Sequence, residues 1–272
     1  MKHEFDEYEE YLRRAGRSEG TIGKYLSDMD ALLSWLDGEE ITQTSVVRWR
    51  EYLMNSYAPV TVNSKLASLN SYCRFLNISV HVHFVRIQRK LFRDQNRELT
   101  RAEFIRLVET ARKEDNIRLA MLMETICASG IHVSEVKYIT VEAARVGRAD
   151  ISLKGKFRTI LLSVKLCRAL LKYAKKQKIT SGEIFITGSG KSLSRRQIWA
   201  EMKNLCDDAG VEASKVFPHN LRHLFATMFY KVSHDIARLA DVLGHSSIET
   251  TRIYLMTTGD EHQRMLELMQ TT

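Results

Sequence analysis

Only two prolines occur in this chain of 272 residues, Pro59 and Pro218. Proline breaks a helix interior and is tolerated at its first turn. So few breakers, with 13 glycines as punctuation, fit a mostly helical chain with short loops. Pro218 stands at a predicted helix start, where it pre-sets the backbone and lacks the amide hydrogen a first turn leaves unpaired. The length allows one large or two modest domains with ample core. No apolar run approaches the ~20 residues of a membrane span. The start, Met1-Lys2-His3-Glu4-Phe5-Asp6-Glu7, lacks the apolar core of a secretory signal, so a cytoplasmic location is expected. Cys73, Cys127, Cys167 and Cys206 are far apart and read as buried thiols in a reducing compartment. No metal or cofactor is expected.

Apolar periodicity predicts helices over residues 3–15, 19–36, about 44–55 and 58–76, the third capped by Thr44 or Ser45. Four helices in this span make a small bundle, with Arg48, Arg50, Lys65 and Arg74 on the third and fourth. Residues 78–97 read as a basic, extended connection. After it, Thr100 with Glu103 suggests a capping box. Helices follow near 101–111 and 116–128, then one begun by Ser134. Residues 149–163 favour a β-hairpin with Lys154-Gly155-Lys156 between its strands. Beyond it lie a helix over 164–177, a short buried strand at Ile184-Phe185-Ile186, and helices near 194–209, 219–231, 234–243, 247–255 and 260–270. The domains expected are a helical unit over 1–80, a linker over 81–97 and a second domain over 98–272. The fold class is mainly α with a small β-sheet (α+β).

Charge is uneven. The net charge of the chain is +8, with −6 over residues 1–40 and +7 over residues 41–97. A basic balance of this kind is compatible with a phosphate-backbone partner.

Chemistry-bearing side chains cluster late. His219 and Arg222 are three apart, on one helix face. Leu243-Gly244-His245 and Tyr254 follow. Two imidazoles, a guanidinium and a phenol suit phosphoryl transfer: Arg forks onto phosphate oxygens, His carries protons near neutral pH, and Tyr can attack as a nucleophile.

His219-Asn220-Leu221-Arg222-His223 resembles the HxLRH box of tyrosine recombinases, the lambda-type, Xer-like integrases. Leu243-Gly244-His245 through Tyr254 resembles their LGH…Y box. Thr21, Tyr25 and Asp28 match positions of that family's N-terminal domain more softly. The resemblance implies a helical N-terminal core-binding domain that clamps one face of duplex DNA and a catalytic domain behind it. It implies that Tyr254 attacks a DNA phosphodiester, forms a 3′-phosphotyrosyl bond and releases a 5′-hydroxyl. It places Arg222 as a phosphate clamp, His219 as proton acceptor or phosphate ligand, and His245 as a hydrogen-bond donor to the phosphate. His223 reads as structural. Lys154 matches the hairpin lysine that acts as general acid, with Lys156 as its competitor.

One position departs from the pattern. The family's first catalytic arginine lies in a box like TGLRxSEL; here the run is Ser129-Gly130-Ile131-His132-Val133-Ser134-Glu135-Val136. His132 is shorter than arginine and charged only when protonated. Three readings follow: a protonated His132 partly replaces the arginine, another basic residue fills the space, or the chain binds sites and cleaves poorly. The first is favoured, and it implies cleavage that improves as pH falls.

The resemblance further implies double-stranded DNA at a specific crossover site as partner and a homo-tetramer on two duplexes, with monomers or weak oligomers off DNA. The apolar stripe Met265, Leu266, Leu268 and Met269 fits a terminal helix that packs on its own domain or docks on a neighbouring protomer. The leading expectation is a site-specific recombinase, without an extra arm-binding domain before the bundle. The alternatives are a DNA-binding protein with attenuated or accessory-dependent cleavage, and a type IB topoisomerase-like enzyme.

Overall fold

A computed structural model of the chain describes residues 2–87, 97–153, 156–245, 247–254, 263 and 267–269, of which residues 2–4, 153 and 156 are described by their backbone alone. It divides into two compact units, Met1–Arg89 and Lys90–Thr272.

The first unit is a four-helix bundle: α1 (Lys2–Arg14), α2 (Glu19–Leu36), α3 (Gln43–Ser56) and α4 (Pro59–Phe75). Ser18 caps α2 through Thr21 N–H. The cap of α3 is Thr42, not Thr44 or Ser45. Its hydroxyl accepts from Ser45 N–H while the Ser45 hydroxyl takes the Thr42 N–H. Tyr8, Leu12, Met29, Leu32, Trp49, Leu53, Leu66 and Tyr72 fill the core. Buried Asp28 is held by Ser68 at 2.7 Å, by Lys65 at 3.1 Å, and by Lys24. Burial opposes its ionised form, but these hydrogen bonds outweigh it and hold the carboxyl below the usual range.

Two of the four basic side chains expected on the surface of this unit are therefore paired. Lys65 is bound to Asp28, and Arg48 pairs with Glu39 and sits over Trp35. The stretch read as the start of a linker is instead tied to the bundle. Asn70 Nδ2 donates to Val82 O at 2.9 Å and its Oδ1 accepts from Val82 N at 3.0 Å. Asn63 does the same with Val85, at 2.9 and 2.7 Å, and Gln43 with His81, at 3.2 and 3.4 Å. Extended backbone needs partners for its amides, and here side-chain amides stand in for a neighbouring strand.

The second unit is built round α6 (Ile117–Ser129), which packs against α5 (Arg101–Lys113) and α10 (Pro218–Ser233). Helix α6 buries Leu119, Ala120, Leu122, Met123, Ile126 and Cys127, apolar on every side, so it can only be a central helix. The expected Thr100–Glu103 capping box opens α5. A 3₁₀ turn over Val133–Tyr138 stands where a helix beginning at Ser134 was expected, and His132, not Ser134, caps it. A short α7 (Val141–Val146) leads into the antiparallel hairpin of β1 (Arg148–Leu153) and β2 (Lys156–Leu161), in register from Arg148↔Leu161 to Leu153↔Lys156. Then come α8 (Val164–Lys176), α9 (Arg195–Asn204), α10, α11 (Ile236–Leu243) and α12 (Ile248–Arg252).

Ile184 and Phe185 are buried as expected, but the strand is not there. Only isolated bridges, Thr140↔Glu183 and Ile186↔Ser192, flank them. Tyr254 lies in a turn just past α12 rather than within a helix. Most of the expected last helix lies outside the described residues; Gln263 and Glu267–Met269 are helical. The four cysteines are buried and unpaired, and burial pushes the Cys127 thiol up to about 12. Among the described residues no helix is long and apolar enough to cross a membrane.

Candidate active site

Two helix ends converge on Arg222. Helix α6 ends at Gly130 and α11 at Gly244, both in the left-handed conformation that glycine adopts without a Cβ penalty. At Gly130 a Cβ would also lie 2.4 Å from the Phe225 ring. Terminal carbonyls of both helices lack intrahelical donors and carry the negative end of the helix dipole. Arg222 occupies that position. Its Nη1 donates to Gly130 O at 2.6 Å, and its Nη2 to Leu243 O at 2.8 Å. The side chain is 6% exposed. Burial and then the charge of Arg158 push its pKa down, against Tyr254 and Glu135, which push it up. The cation is thus satisfied by neutral carbonyls rather than by a carboxylate of its own.

Arg222 Nη2 also lies 3.1 Å from His245 Nε2, and His245 Nδ1 lies 2.8 Å from the hydroxyl of buried Thr251. Tyr254 is near enough to act on the guanidinium electrostatically and helps hold its pKa up. The Tyr254 ring is 3% exposed, parallel to His245 at 6.1 Å and edge-on to His223 at 4.9 Å. His223, read as structural from its place in the sequence, packs directly on that phenol.

His132, His219 and Arg222 line one pocket with Arg195, Trp199 and Pro218. His132 Nδ1 accepts from the Ser134 main-chain N–H at 3.2 Å, and the His132 main-chain N–H donates to Glu135 Oε2 at 2.7 Å. Nδ1 also lies 2.8 Å from the Ser134 hydroxyl; where it accepts from both Ser134 groups, the proton of a neutral ring sits on Nε2. Burial first, then the charge of Arg222, push the His132 pKa down; Glu135 pushes it up, and Arg195 and His219 push it down again. These surroundings disfavour a charged His132 ring in the DNA-free chain; the expectation of a protonated ring concerns one beside a phosphate, whose negative charge acts the other way. His219 is exposed, yet crowding by the pocket and the charges of Arg222 and Arg195 lower its pKa as well.

The structure therefore brings Arg222, His245 and Tyr254 into one hydrogen-bonded and stacked cluster, with His132 and His219 on the pocket beside it. Lys154 lies outside the described residues. Lys156 is described by its backbone in β2. Among the described residues no group of three or more His, Cys, Asp or Glu side chains could hold a metal ion.

Residues 97–260 match the phage integrase family. The chain belongs to that family. Its residues 5–78 match the phage integrase N-terminal SAM-like domain. Membership makes it a tyrosine-type enzyme of DNA recombination. Among curated relatives, tyrosine recombinase XerA of Pyrococcus furiosus is 27% identical, covering 96% of this chain and 92% of the relative. XerA of Thermococcus kodakarensis is 29% identical, covering 95% and 92%. Among solved structures, a lambda integrase dimer bound to a COC′ core site covers 93% of this chain and 94% of its own, with TM-score 0.73 at 16% identity. XerH bound to a palindromic difH substrate, a post-cleavage complex, covers 92% and 80%, with TM-score 0.70 at 16% identity. At such identities the likeness shows the fold.

Several residues of this phage integrase site carry no signal in isolation. Thr251 could be found from the sequence only as a hydroxyl six positions after His245. Arg195 and Trp199 could be found only as an i, i+4 pair on α9. Arg158 looks like an ordinary strand arginine until its side chain is followed.

Proposed function

We propose that this chain cleaves and rejoins DNA strands at a specific crossover site through a covalent bond between Tyr254 and a 3′-phosphate. The convergence of Arg222, His245 and Tyr254 carries the reading. The Tyr254 oxygen attacks phosphorus, the P–O5′ bond breaks, and the 5′-oxygen leaves with a proton. His219, held neutral by its surroundings, takes the phenol proton. Arg222 stabilises charge on the non-bridging oxygens. Lys154 protonates the leaving oxygen, with Lys156 as the alternative. The new ester conserves the energy of the broken linkage, so rejoining needs no nucleotide cofactor.

His132 contributes in its neutral form, donating Nε2–H to a non-bridging oxygen. One short neutral donor replaces the fork of an arginine, so the charge stabilisation at this corner is weaker. The first unit supplies further DNA contact as the core-binding domain, and protomers act as a tetramer on two duplexes. A lambda integrase tetramer bound to a Holliday junction covers 93% of this chain at TM-score 0.72 and 17% identity, which supports that arrangement by fold.

The presence of His132 also favours a second reading, a site-specific DNA-binding protein whose cleavage is attenuated or needs an accessory factor. The test uses a duplex that the protein selects from a random-sequence pool, nicked at successive positions so that a cleaved strand end diffuses away. A denaturation-resistant adduct that disappears in Tyr254→Phe establishes the enzyme reading. Tight, specific binding without adduct, with adduct restored by His132→Arg, establishes the attenuated one.

A further inference from the structure

Arg158 lies on β2, opposite Ile151 in the hairpin, and its side chain is 15% exposed. It reaches two elements outside the sheet. Nη2 pairs with the Glu135 carboxylate, and Nη1 donates to the Leu243 carbonyl at the end of α11. That carbonyl already accepts from Arg222 Nη2. Two guanidinium groups therefore share one oxygen.

Like charges at this separation repel, and the Arg158 charge follows only burial among the causes that lower the Arg222 pKa. Glu135 offsets the repulsion, and with the same Oε2 it takes the His132 main-chain N–H. Gly244 leaves the passage open. A Cβ there would stand 2.5 Å from Arg158 Cδ and 2.8 Å from Nη1. Arg158 Nε is buried without a hydrogen-bond partner among the described residues, a cost tolerated so that the two Nη groups keep this geometry.

We propose that Arg158 is a positioning residue for strand cleavage. It ties the carbonyl that orients Arg222 to the carboxylate that orients His132, so that one side chain on the hairpin sets both phosphate-directed groups. This rests on the reading of Arg222 and His132 as phosphate ligands. Lysine could not take its place, because a single ammonium on a flexible stem does not span two acceptors on separate elements.

The experiment compares Arg158→Met, Arg158→Lys and Glu135→Gln with the wild-type chain by two readouts. The first is the titration of the His132 ring protons by NMR without DNA. The charged and titratable groups around that ring are Arg222, Glu135, Arg195 and His219. Arg158→Met leaves the Glu135 charge uncompensated, so the His132 midpoint rises, by about half a unit or more. Arg158→Lys keeps it near the wild-type value, and Glu135→Gln lowers it. The second readout is adduct formation on the selected nicked duplex at saturating protein. There both Arg158 variants fall on the order of tenfold to a hundredfold, while their DNA affinity stays within about twofold of wild type.

A wild-type rate in Arg158→Met, an unmoved His132 midpoint, or a loss of affinity parallel to the loss of rate would each overturn the proposal. Should Arg158→Met fail to fold by circular dichroism, the rate of Arg158→Lys decides alone, since it keeps the charge. If the wild-type chain itself forms no adduct, the catalytic reading fails, and the His132 titration still decides whether Arg158 sets the Glu135–His132 geometry.

Discussion

Arg222 Nη2 lies 3.1 Å from His245 Nε2, and this contact fixes how the imidazole is protonated. A guanidinium can only donate, so Nε2 is the acceptor and Nδ1 carries the proton, which it gives to Thr251 Oγ1 at 2.8 Å. His245 therefore meets a phosphate in one of two ways. It gains a second proton on Nε2, or the arginine lets go of Nε2 and the ring proton moves there from Nδ1.

Thr251→Val tests that relay. The substitution keeps the shape of a fully buried side chain and removes the acceptor for His245 Nδ1. An unsatisfied buried donor costs about 1–3 kcal/mol, read as a lower denaturant midpoint. Cleavage at saturating protein is expected to fall about tenfold. Thr251→Ser, which retains the hydroxyl, is expected to cleave near the wild-type rate. Equal rates for Val and Ser would remove Thr251 from the site.

Arg222→Met is expected to abolish more than chemistry. It leaves the Gly130 and Leu243 carbonyls without this donor. The Gly130 carbonyl, left unsatisfied, costs about 1–3 kcal/mol, while the Leu243 carbonyl keeps Arg158, and the loss of a transition-state donor lowers the cleavage rate on the order of 10²–10³. Rate and unfolding free energy measured on the same preparation check both. A variant as stable as the wild type would mean that the two helix ends do not depend on the guanidinium.

Acid should slow this enzyme. The pKa values of His132 and His219 are both held below the ordinary histidine value. Groups depressed in the folded state add stability that is full above the unfolded pKa, about 6.5, and lost as pH falls through the folded value. The proposed base His219 loses its function when it is protonated, whereas His132 keeps an Nε2–H to donate, so His219 sets the direction. Single-turnover cleavage from mildly basic to mildly acidic pH is expected to decline. A rise on acidification would restore the expectation of a charged His132.

Asp28→Asn is expected to weaken the first unit by about 1–3 kcal/mol at neutral pH, because Lys24 and Lys65 lose their ionised partner. The Asp28 pKa is lowered in the fold. The stabilisation is therefore present above the unfolded value of about 3.9 and disappears as pH falls through the folded one. Denaturant titrations at neutral and strongly acid pH should show the gap between variant and wild type closing. A gap that persists in acid would assign the effect to packing alone.

The helices of both units were legible because their apolar stripes repeat at helical spacing, as in Ile22, Met29, Leu32 and Leu36, and because Ser18 and Thr100 announce their starts. The boxes around Arg222 and Tyr254 were legible because residue type, order and spacing agree. What escaped was whatever depends on distant partners. The buried pair Ile184-Phe185 has strand composition, yet composition cannot say that no neighbouring strand runs beside it. The rank of basic residues on α3 and α4 suggested an open positive surface, while the partner of Lys65 sits 37 positions away in sequence. His132 was read by its charge, which its neighbours decide and its sequence position does not. Arg158 was missed for the same reason, since its two acceptors, Glu135 and Leu243, come from two other elements.

The amide clasps at Gln43, Asn63 and Asn70 grip the main chain of 81–85 and not its side chains. Proline apart, which has no N–H to offer at His81, Val82 or Val85, such a grip is indifferent to what the gripped residues are. His83 and Phe84 can therefore drift by mutation without loosening the strap. The clasping amides are less replaceable: aspartate at 63 or 70 would keep the acceptor and lose the donor, halving the hold. The chain thus keeps a fixed anchorage beneath two exposed positions, His83 and Phe84, that are at liberty to change without refolding the bundle.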